Sequence, residues 1–352
     1  ALEGYSTLLL EKENISDNGR YKACGGAMAW ELVEEINYPE EKIARVIESL
    51  ELHHTNGNDY SKAGKGAVVW RSVFDKFLVD MAVKEGVYLK EKEPLVEIEK
   101  KNDGYLVKTN KNNYEGKYVI AADGVTSKTL KILNWPYFEK ENLILTITKE
   151  METKKSYIDK TLGEDTVHLF FGIEDLIPVG YAWLFPKTNT ITVGWGNQIN
   201  LIENSREEFK IFENLSMVQT ALKGSKMTVF KPHLIPVGLR PLLYKDNVFA
   251  VGDAGGIVDP ISGKGIPYAM MSGHFAIDAI KYCEKRDKPQ KLGTQYEKLL
   301  SRKFLKILKA KRVARNQIFK NDENLTKFLS LWESHRSSEI VMRKLLEKEV
   351  AA

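Results

Sequence analysis

A glycine-rich stretch from Asn247 to Gly273 constrains the fold of this chain more than any other part of the sequence. It reads NVFAVGDAGGIVDPISGKGIPYAMMSG, which predicts a buried strand, a Gly-Asp turn, an irregular loop and a helix that begins near Gly265. Asp253 follows the strand, where its carboxylate can accept hydrogen bonds from sugar or ribityl hydroxyls, and Gly263 and Gly265 let backbone N–H groups approach a ligand. A tight corner that uses glycine only for packing is the alternative. The density of glycine favours a loop that binds a nucleotide cofactor.

The same segment carries a family resemblance. GDAGGIVDPISGKGI resembles the second FAD-binding motif of the geranylgeranyl reductase family, a branch of the flavoproteins built like aromatic hydroxylases. In that family the Asp holds the ribityl chain, and the Gly-Ile pair at the helix start faces the pyrimidine edge of the flavin. The resemblance therefore implies FAD and assigns these contacts to Asp253, Gly265 and Ile266. Lys264 departs from the motif, since the family commonly has Gly there.

The beginning of the chain predicts a strand that ends in a carboxylate, Glu11. In a dinucleotide-binding fold such a residue binds the ribose hydroxyls about 20 residues after a glycine-rich phosphate loop. Too little chain precedes Glu11 for that loop, and residue 1 is not Met. We therefore expect a fragment that lacks the first strand and the GxGxxG loop, with Glu11 binding the cofactor. A surface glutamate after an edge strand is the alternative.

The segment RYKACGGAMAW, from Arg20 to Trp30, predicts a loop with a Cys-Gly-Gly centre. The two glycines permit close approach of a flat ligand, whereas a single thiol is more often a buried structural residue. The segment resembles the family's Cys-Gly loop beside the isoalloxazine ring. That resemblance implies cofactor contacts for Cys24, Gly25 and Ala27.

Three further positions extend the resemblance. Arg71 opens a predicted amphipathic helix, where a cation is unfavourable unless an anion compensates it. RSVFDKFL matches the family segment whose Arg reaches the FAD phosphates, and a solvated first-turn Arg is the alternative. By the same resemblance Leu95 offers its backbone to the adenine. KYVIAADGVTSK resembles the family's Asp-Gly motif, which implies that Asp123 lies near the pyrophosphate and ribityl region.

An aromatic strand is the clearest candidate for a substrate wall. PVGYAWLFP, from Pro178 to Pro186, matches the PxxYxWxFP signature with which geranylgeranyl reductases line a lipid tunnel. Side chains alternate across a strand, so Tyr181, Trp183 and Phe185 share one face. The alternative is an aromatic ladder inside an ordinary sheet core.

The order of these motifs predicts an α/β (α+β) fold. A Rossmann-like FAD-binding domain of the aromatic-hydroxylase type is expected over residues 1–135 and 236–290. From about Trp135 the pattern alternates, which predicts an inserted antiparallel β-sheet substrate domain over 136–235. The remaining residues, 291–352, are predicted as a C-terminal helical region.

Within that region Leu299 to Phe319 predicts a basic amphipathic helix. Its cationic flanks could rest on anionic lipid, whereas its apolar stripe could pack on its own domain. No apolar run reaches the roughly 18 residues of a spanning helix. The expectation is therefore a cytoplasmic protein whose membrane contact, if any, is peripheral and at the inner face.

Charge and cysteine usage exclude several other classes of protein. A net charge of +4 without clustering gives no indication of nucleic-acid binding. The two cysteines, Cys24 and Cys283, lie far apart and outside any CxxC pair, so no metal site and no disulfide framework are expected. The segment Ser262 to Gly265 lacks the spacing of an NTPase phosphate loop.

The resemblance implies a flavin-dependent reductase that saturates isolated double bonds of geranylgeranyl chains in archaeal-type ether lipids. Cys24 and Tyr181 are the candidate proton donors, with solvent as a third. The partners are then an isoprenoid lipid and an external electron donor: reduced nicotinamide, ferredoxin or deazaflavin. A flavin-dependent monooxygenase or halogenase and a non-catalytic lipid-binding remnant are the alternatives.

Overall fold

The computed structural model of the protein describes residues 4–17, 19–172 and 177–334. Its strands are β1 (Leu8–Leu10), β2 (Ala27–Ala29), β3 (Ile43–His54), β4 (Asp59–Val69), β5 (Tyr88–Lys90), β6 (Leu95–Lys101), β7 (Gly104–Thr109), β8 (Asn113–Gly116), β9 (Val119–Ala121), β10 (Leu143–Glu152), β11 (Thr166–Phe171), β12 (Gly180–Pro186), β13 (Thr190–Gln198), β14 (Lys226–Pro236), β15 (Tyr244–Lys245) and β16 (Val248–Ala250). Its α-helices are α1 (Trp30–Glu35), α2 (Arg71–Lys84), α3 (Lys128–Ile132), α4 (Lys155–Leu162), α5 (Ser205–Glu213), α6 (Ser216–Leu222), α7 (Gly252–Gly255), α8 (Ile266–Glu284), α9 (Leu292–Leu300), α10 (Lys306–Ile318) and α11 (Asp322–Ser334). The mixed α/β class is the one that the sequence predicts.

The largest sheet has eight strands in the order β14, β10, β13, β12, β11, β3, β4, β2. Its neighbours are antiparallel except β11 and β3, which are parallel. The antiparallel sheet predicted over 136–235 is larger than expected, because β2, β3 and β4, which precede residue 70, also belong to it. The long strand β3 pairs with β4 along one edge. The N–H and C=O groups of its other edge also need partners, and β11 supplies them. Strands on both sides of the expected domain boundary at residue 136 thus belong to one continuous sheet.

The two faces of β12 meet different surroundings. Ala182 and Leu184 point into a core that also contains apolar residues of α4, α5 and α6. On the other face the rings of Tyr181 and Trp183 lie 5.9 Å apart, and those of Trp183 and Phe185 lie 6.4 Å apart. The predicted alternation of this strand is confirmed, and we call these three residues the aromatic wall.

Smaller sheets hold the motifs near the two ends of the chain. β1 pairs in parallel with β5, and β9 pairs in parallel with β16, whose other neighbour is β15. β6, β7 and β8 form an antiparallel meander whose first turn is at Asn102-Asp103. The strand predicted before Glu11 is present but short, since it covers only Leu8–Leu10.

Helices cover the glycine-rich segment and one face of the large sheet. A π-helical turn over Ser301–Leu305 links α9 to α10 without a break. Residues of α8, α9 and α10 pack around Tyr296, and α10 and α11 pack on β3, β4 and β11 beside Tyr181. The apolar stripe of the predicted basic helix therefore packs on the protein itself, with Phe304 and Leu308 buried.

The segment from Ser205 to Leu222 forms two helices, because Leu215, with φ −59° and ψ 135°, leaves helical geometry between α5 and α6. In the ranges described, no helix combines the length and apolar character that crossing a bilayer requires.

Candidate functional site

The glycine-rich segment forms the strand, turn and helix that the sequence predicts. β16 ends at Ala250, and Gly252 follows with φ +51°, a conformation that glycine adopts without strain. Its N–H donates to the Ser272 hydroxyl at 2.9 Å, and a side chain there would meet the methyl of Ala269 at 2.8 Å. Glycine thus lets α8 approach the strand end, and α8 begins at Ile266.

Asp259 fixes the shape of the loop between α7 and α8. One carboxylate oxygen accepts the backbone N–H groups of Ile261 and Ser262, both at 3.0 Å. The other accepts the Lys311 ammonium of α10 at 2.6 Å. Burial acts to raise the pKa of the Asp259 carboxyl, but Lys311 and the backbone donors outweigh it and hold that pKa below its usual range. The loop is therefore tied to the C-terminal helices by a buried ion pair.

The aromatic wall connects this loop to the Cys-Gly loop. At one end the Tyr181 hydroxyl donates to the Ser262 carbonyl at 2.6 Å. At the other end a side chain on Gly25 would lie 2.5 Å from the Phe185 ring and 3.5 Å from the Trp183 indole nitrogen. Gly25 thus allows the loop to touch the wall directly.

Cys24 lies beside charged and phenolic side chains. Its sulfur accepts the N–H of Gly26 at 3.4 Å, and the Arg71 guanidinium is close enough to interact with it electrostatically. Tyr21 and Tyr181 are close enough to interact electrostatically with the thiol. The exposed residue Ala27 pairs with Val68 in the sheet.

Arg71 and Glu11 belong to one chain of ion pairs. Arg71 donates to both oxygens of Asp75 at 2.8 and 3.0 Å, which supplies the anion that an N-terminal helix cation needs. The same carboxylate lies 3.7 Å from Arg20, and Arg20 donates to Glu11 at 3.2 Å. The predicted cofactor residues Glu11, Arg71 and Cys24 are thus brought together.

Asp253 and Gly265 are also neighbours. A side chain on Gly265 would lie 3.4 Å from one carboxylate oxygen of Asp253. The other oxygen of the same carboxylate lies 3.6 Å from the Lys22 ammonium. Lys22 sits two residues before Cys24 in the Cys-Gly loop. Ile266 packs against the cluster that contains Phe74 of α2, the helix that Arg71 opens.

Two predicted residues lie together at the start of α3. Asp123 accepts the Thr129 N–H at 2.9 Å, the Thr129 hydroxyl at 2.8 Å and the Ser127 hydroxyl. The Leu95 carbonyl accepts the Lys128 ammonium at 2.7 Å. Both residues are therefore engaged within the protein, and their cofactor contacts stay a prediction.

Arg240 links this second group to the first, and no sequence signal pointed to it. Its guanidinium donates to the carbonyls of Ala254 at 2.6 Å and Pro136 at 2.6 Å, and to Val125 at 3.5 Å. Val125 and Ala254 belong to the two predicted Asp motifs. A buried arginine thereby holds the Asp-Gly and Gly-Asp turns at fixed separation.

A buried ion pair near Cys24 was also missed. The Lys187 ammonium contacts both oxygens of Glu150 at 3.1 and 3.3 Å, and both residues are 1% exposed. Tyr21 and Thr192 donate to the same carboxylate at 3.2 and 2.8 Å. Burial lowers the pKa of Lys187, although Glu150 opposes the shift. The sequence signal for this ion pair was Glu150, a charged residue at a position of β10 that alternation predicts to be buried.

Two unpaired polar atoms in this region fit a bound cofactor. Among the described residues, the buried nitrogens Trp183 Nε1 and His233 Nε2 have no hydrogen-bond partner. Burial lowers the pKa of His233 to about 4, and Lys22, Arg71 and Asp253 are close enough to influence it. Buried donors and acceptors normally find partners. The backbone at Gly25 and Gly265, which a flat ligand can approach closely, and these two unpaired nitrogens therefore suit a flat group with polar edges, such as FAD.

Comparison with known proteins agrees with this arrangement. The FAD binding domain family model matches residues 53–298. The digeranylgeranylglycerophospholipid reductase of Methanococcus vannielii (strain ATCC 35089 / DSM 1224 / JCM 13029 / OCM 148 / SB) is 32% identical over 318 residues, which cover 87% of this chain and 78% of the relative.

Solved structures show the same fold. A geranylgeranyl bacteriochlorophyll reductase-like protein from Thermoplasma acidophilum has a TM-score of 0.84 and 24% identity, over 98% of this chain and 90% of its own. A flavin-dependent halogenase has a TM-score of 0.70 and 15% identity, over 99% of this chain and 74% of its own. The predicted fold class and the FAD cofactor are confirmed. The chain belongs to the geranylgeranyl reductase family of FAD-dependent oxidoreductases.

Proposed function

We propose that this protein saturates isolated double bonds of geranylgeranyl chains in isoprenoid phospholipids, with FAD as its cofactor. The relative from Methanococcus vannielii is named a digeranylgeranylglycerophospholipid reductase. The observation that carries the proposal is the aromatic wall, which touches the Cys-Gly loop through Phe185 and the glycine-rich loop through Tyr181. An apolar chain lying on this wall would lie between the two loops that bind the cofactor.

We assign the cofactor contacts to the residues that the family motifs name. These are Glu11, Cys24, Gly25, Ala27, Arg71, Leu95, Asp123, Asp253, Gly265 and Ile266. The chain of ion pairs from Glu11 to Arg71 supports the assignment of these two residues, and the contact of Asp253 with Gly265 supports the assignment of that pair. His233 joins them, because its buried nitrogen lacks a partner within the described residues.

Bound FAD, once reduced, supplies a hydride to one alkene carbon. The second carbon requires a proton, and an unactivated alkene gains cationic character as that proton arrives. Trp183 is buried and Phe185 partly so, which keeps water from the chain and offers aromatic faces to the developing charge. Substrate contacts are therefore assigned to Tyr181, Trp183 and Phe185.

Cys24 is the proton donor that the geometry favours over Tyr181. Tyr181 already donates its proton to the Ser262 carbonyl, and burial raises its pKa above the usual range. The Cys24 sulfur accepts a hydrogen bond from the Gly26 N–H, so its own S–H bond can break as a C–H bond forms on the alkene carbon, with the Arg71 guanidinium nearby. Tyr181 then holds the loop and the wall in register.

The enzyme also needs an electron donor and access to its lipid substrate. The sequence contains no second nucleotide-binding motif, so an external donor such as reduced nicotinamide, ferredoxin or deazaflavin would reduce the flavin directly. A peripheral contact with the inner face of a cytoplasmic membrane would give access to a lipid substrate. The exposed cations of α10 support such a contact.

Anaerobic turnover tests the proposed reaction. Protein supplied with FAD and reduced by dithionite is mixed with a geranylgeranyl phospholipid, and the lipid is analysed by mass spectrometry. We expect the lipid to gain two hydrogens for each bond reduced, and Cys24→Ser to slow this gain at least tenfold when FAD is supplied at saturating concentration.

The same preparation separates the alternatives. A monooxygenase or halogenase would leave the lipid unchanged without oxygen and would consume oxygen with an aromatic substrate. If the protein binds both FAD and the lipid but reduces none of the lipid's double bonds, the result would support the hypothesis of a non-catalytic lipid-binding remnant. Either result contradicts the proposed reductase.

A further inference from the structure

A cavity of about 400 Å³ lies behind the glycine-rich loop. Its walls come from the segment that follows β14, from the loop between α7 and α8, and from one side of α10. The apolar part is lined by Val237, Leu239, Val258, Leu308 and Val313. This volume and lining suit part of a hydrocarbon chain.

The rim of this cavity is cationic. Lys309 and Arg312 line it, and both are exposed. Within the described ranges neither cation forms an ion pair with a carboxylate, and no acidic residue lies among the lining residues. An apolar cavity with two free cations at its edge is complementary to an amphiphile that ends in an anion.

The surrounding sequence reinforces this charge. From Ser301 to Lys320 the chain contains eight Lys and Arg residues and neither Asp nor Glu. Two of the eight are already used inside the protein: Lys311 binds Asp259, and Arg315 donates to Gln198 at 2.7 Å. Lys309 and Arg312 remain available to a ligand. The basic character of the helix thus has two separate uses.

The cavity adjoins the proposed active site. Its wall residues Val258 and Pro260 flank Asp259, which holds Ile261 and Ser262, and Ser262 accepts the hydroxyl of Tyr181. One loop therefore separates the cavity from the aromatic wall. A lipid whose chain reaches that wall could place its polar end on this side of the loop.

We propose that the cavity between α10 and the glycine-rich loop binds the phosphate-bearing end of the isoprenoid lipid, with Lys309 and Arg312 on the phosphate. The inference rests on the proposed function for the identity of the lipid. It makes the site selective for phosphorylated lipids over uncharged isoprenoid alcohols. The cations contact the phosphate and take no part in the reaction at the double bond.

The test compares two double variants with equal change of charge. K309E/R312E alters the rim, whereas K303E/K306E alters two exposed cations of the same helical stretch outside the cavity lining. Equilibrium binding to digeranylgeranylglyceryl phosphate and to geranylgeraniol is measured in neutral detergent micelles. We expect K309E/R312E to weaken binding of the phosphate at least tenfold and to leave the alcohol unchanged. K303E/K306E should alter neither.

Binding to vesicles distinguishes a single lipid from a membrane surface. Equal losses in both double variants, in micelles and with phosphatidylglycerol vesicles, would mean that general surface charge attracts lipid, and would overturn the proposal. Unchanged binding in K309E/R312E would overturn it as well. If the wild-type protein reduces both lipids but K309E/R312E binds the phosphate as tightly as wild type, the proposed phosphate site is wrong and the proposed reductase activity is supported. If K309E/R312E selectively loses phosphate binding but no lipid is reduced, the phosphate site is supported and the proposed reductase activity is wrong.

Discussion

At the scale of single residues, Lys311 and Asp259 link the C-terminal helices to the cofactor loop. The Asp259 carboxylate is 3% exposed and binds two backbone N–H groups besides Lys311. A buried carboxylate that loses its cation costs roughly 3–5 kcal/mol. Neither partner is conspicuous in the sequence, because Lys311 is one of many cations in a basic helix.

Lys311→Met should therefore loosen the loop that holds Asp253 and Gly265. We expect a lower free energy of unfolding and FAD binding weakened at least tenfold, measured by urea unfolding and by quenching of flavin fluorescence. Lys306→Met is the matched control, since Lys306 is exposed on the same helix. Equal effects of the two substitutions would contradict this role of Lys311.

His168 makes stability depend on pH. Burial lowers its pKa to about 4, while a hydrogen bond to the Leu162 carbonyl and the nearby Glu51 and Asp59 oppose that shift and His53 adds to it. The unfolded chain, with an ordinary histidine pKa near 6.5, then binds more protons than the folded protein between about pH 6.5 and 4. Stability due to this residue is thus present above pH 6.5 and is lost as pH falls towards 4.

His168→Gln should remove that dependence and still donate to the Leu162 carbonyl. From pH 7 to pH 4.5 the wild-type protein should lose roughly 2 kcal/mol more than the variant, as measured by urea unfolding at each pH. The titration of carboxylates is common to both proteins and cancels in the comparison. Parallel pH profiles would show that His168 is not buried as a neutral side chain.

At the scale of elements, the aromatic wall depends on glycine in the neighbouring strand. Gly194 of β13 pairs with Trp183 of β12, and a side chain at 194 would overlap the Trp183 indole ring. The indole lies flat over the neighbouring strand because no Cβ is present there. Alternation in the sequence predicted the wall, but no sequence pattern indicated this contact, because pairing register is a property of the folded sheet.

Gly194→Ala should displace Trp183 and cost about 1–3 kcal/mol of stability. It should also lower kcat/KM for the isoprenoid at least tenfold, because the wall no longer fits the chain. Gly64→Ala is the control, since a side chain there meets no atom within 4 Å. Turnover of Gly194→Ala at the wild-type rate would argue that the wall does not contact the substrate.

Prediction from sequence worked best for elements that carry a motif. The strand, turn and helix around Asp253 and the helix that opens at Arg71 were confirmed, because glycine placement and apolar periodicity are local properties. The extent of the large sheet was wrong, because the pairing of β3 with β11 joins segments more than 100 residues apart. Arg240 and the Lys187–Glu150 pair were missed because their partners lie on other elements, 37 residues away for the ion pair and up to 115 residues away for Arg240.

At the scale of the whole molecule, segments far apart in sequence meet at one place. The Cys-Gly loop, the start of α2, the aromatic strand and the glycine-rich loop contact one another through Gly25, Arg71, Tyr181 and Asp253 or their direct neighbours. The C-terminal helices close the arrangement through Lys311. Every motif of the family except the pair at α3 therefore converges on one region, and Arg240 connects that pair to it.

The most direct test of this account is a crystal structure of the protein with FAD and a geranylgeranyl lipid. We predict that the isoalloxazine ring lies between Gly25 and the Gly265-Ile266 backbone, with Asp253 on the ribityl chain. The lipid should lie along Trp183 and Phe185 within reach of Cys24. A flavin bound elsewhere, or a lipid on the opposite face of β12, would contradict the account.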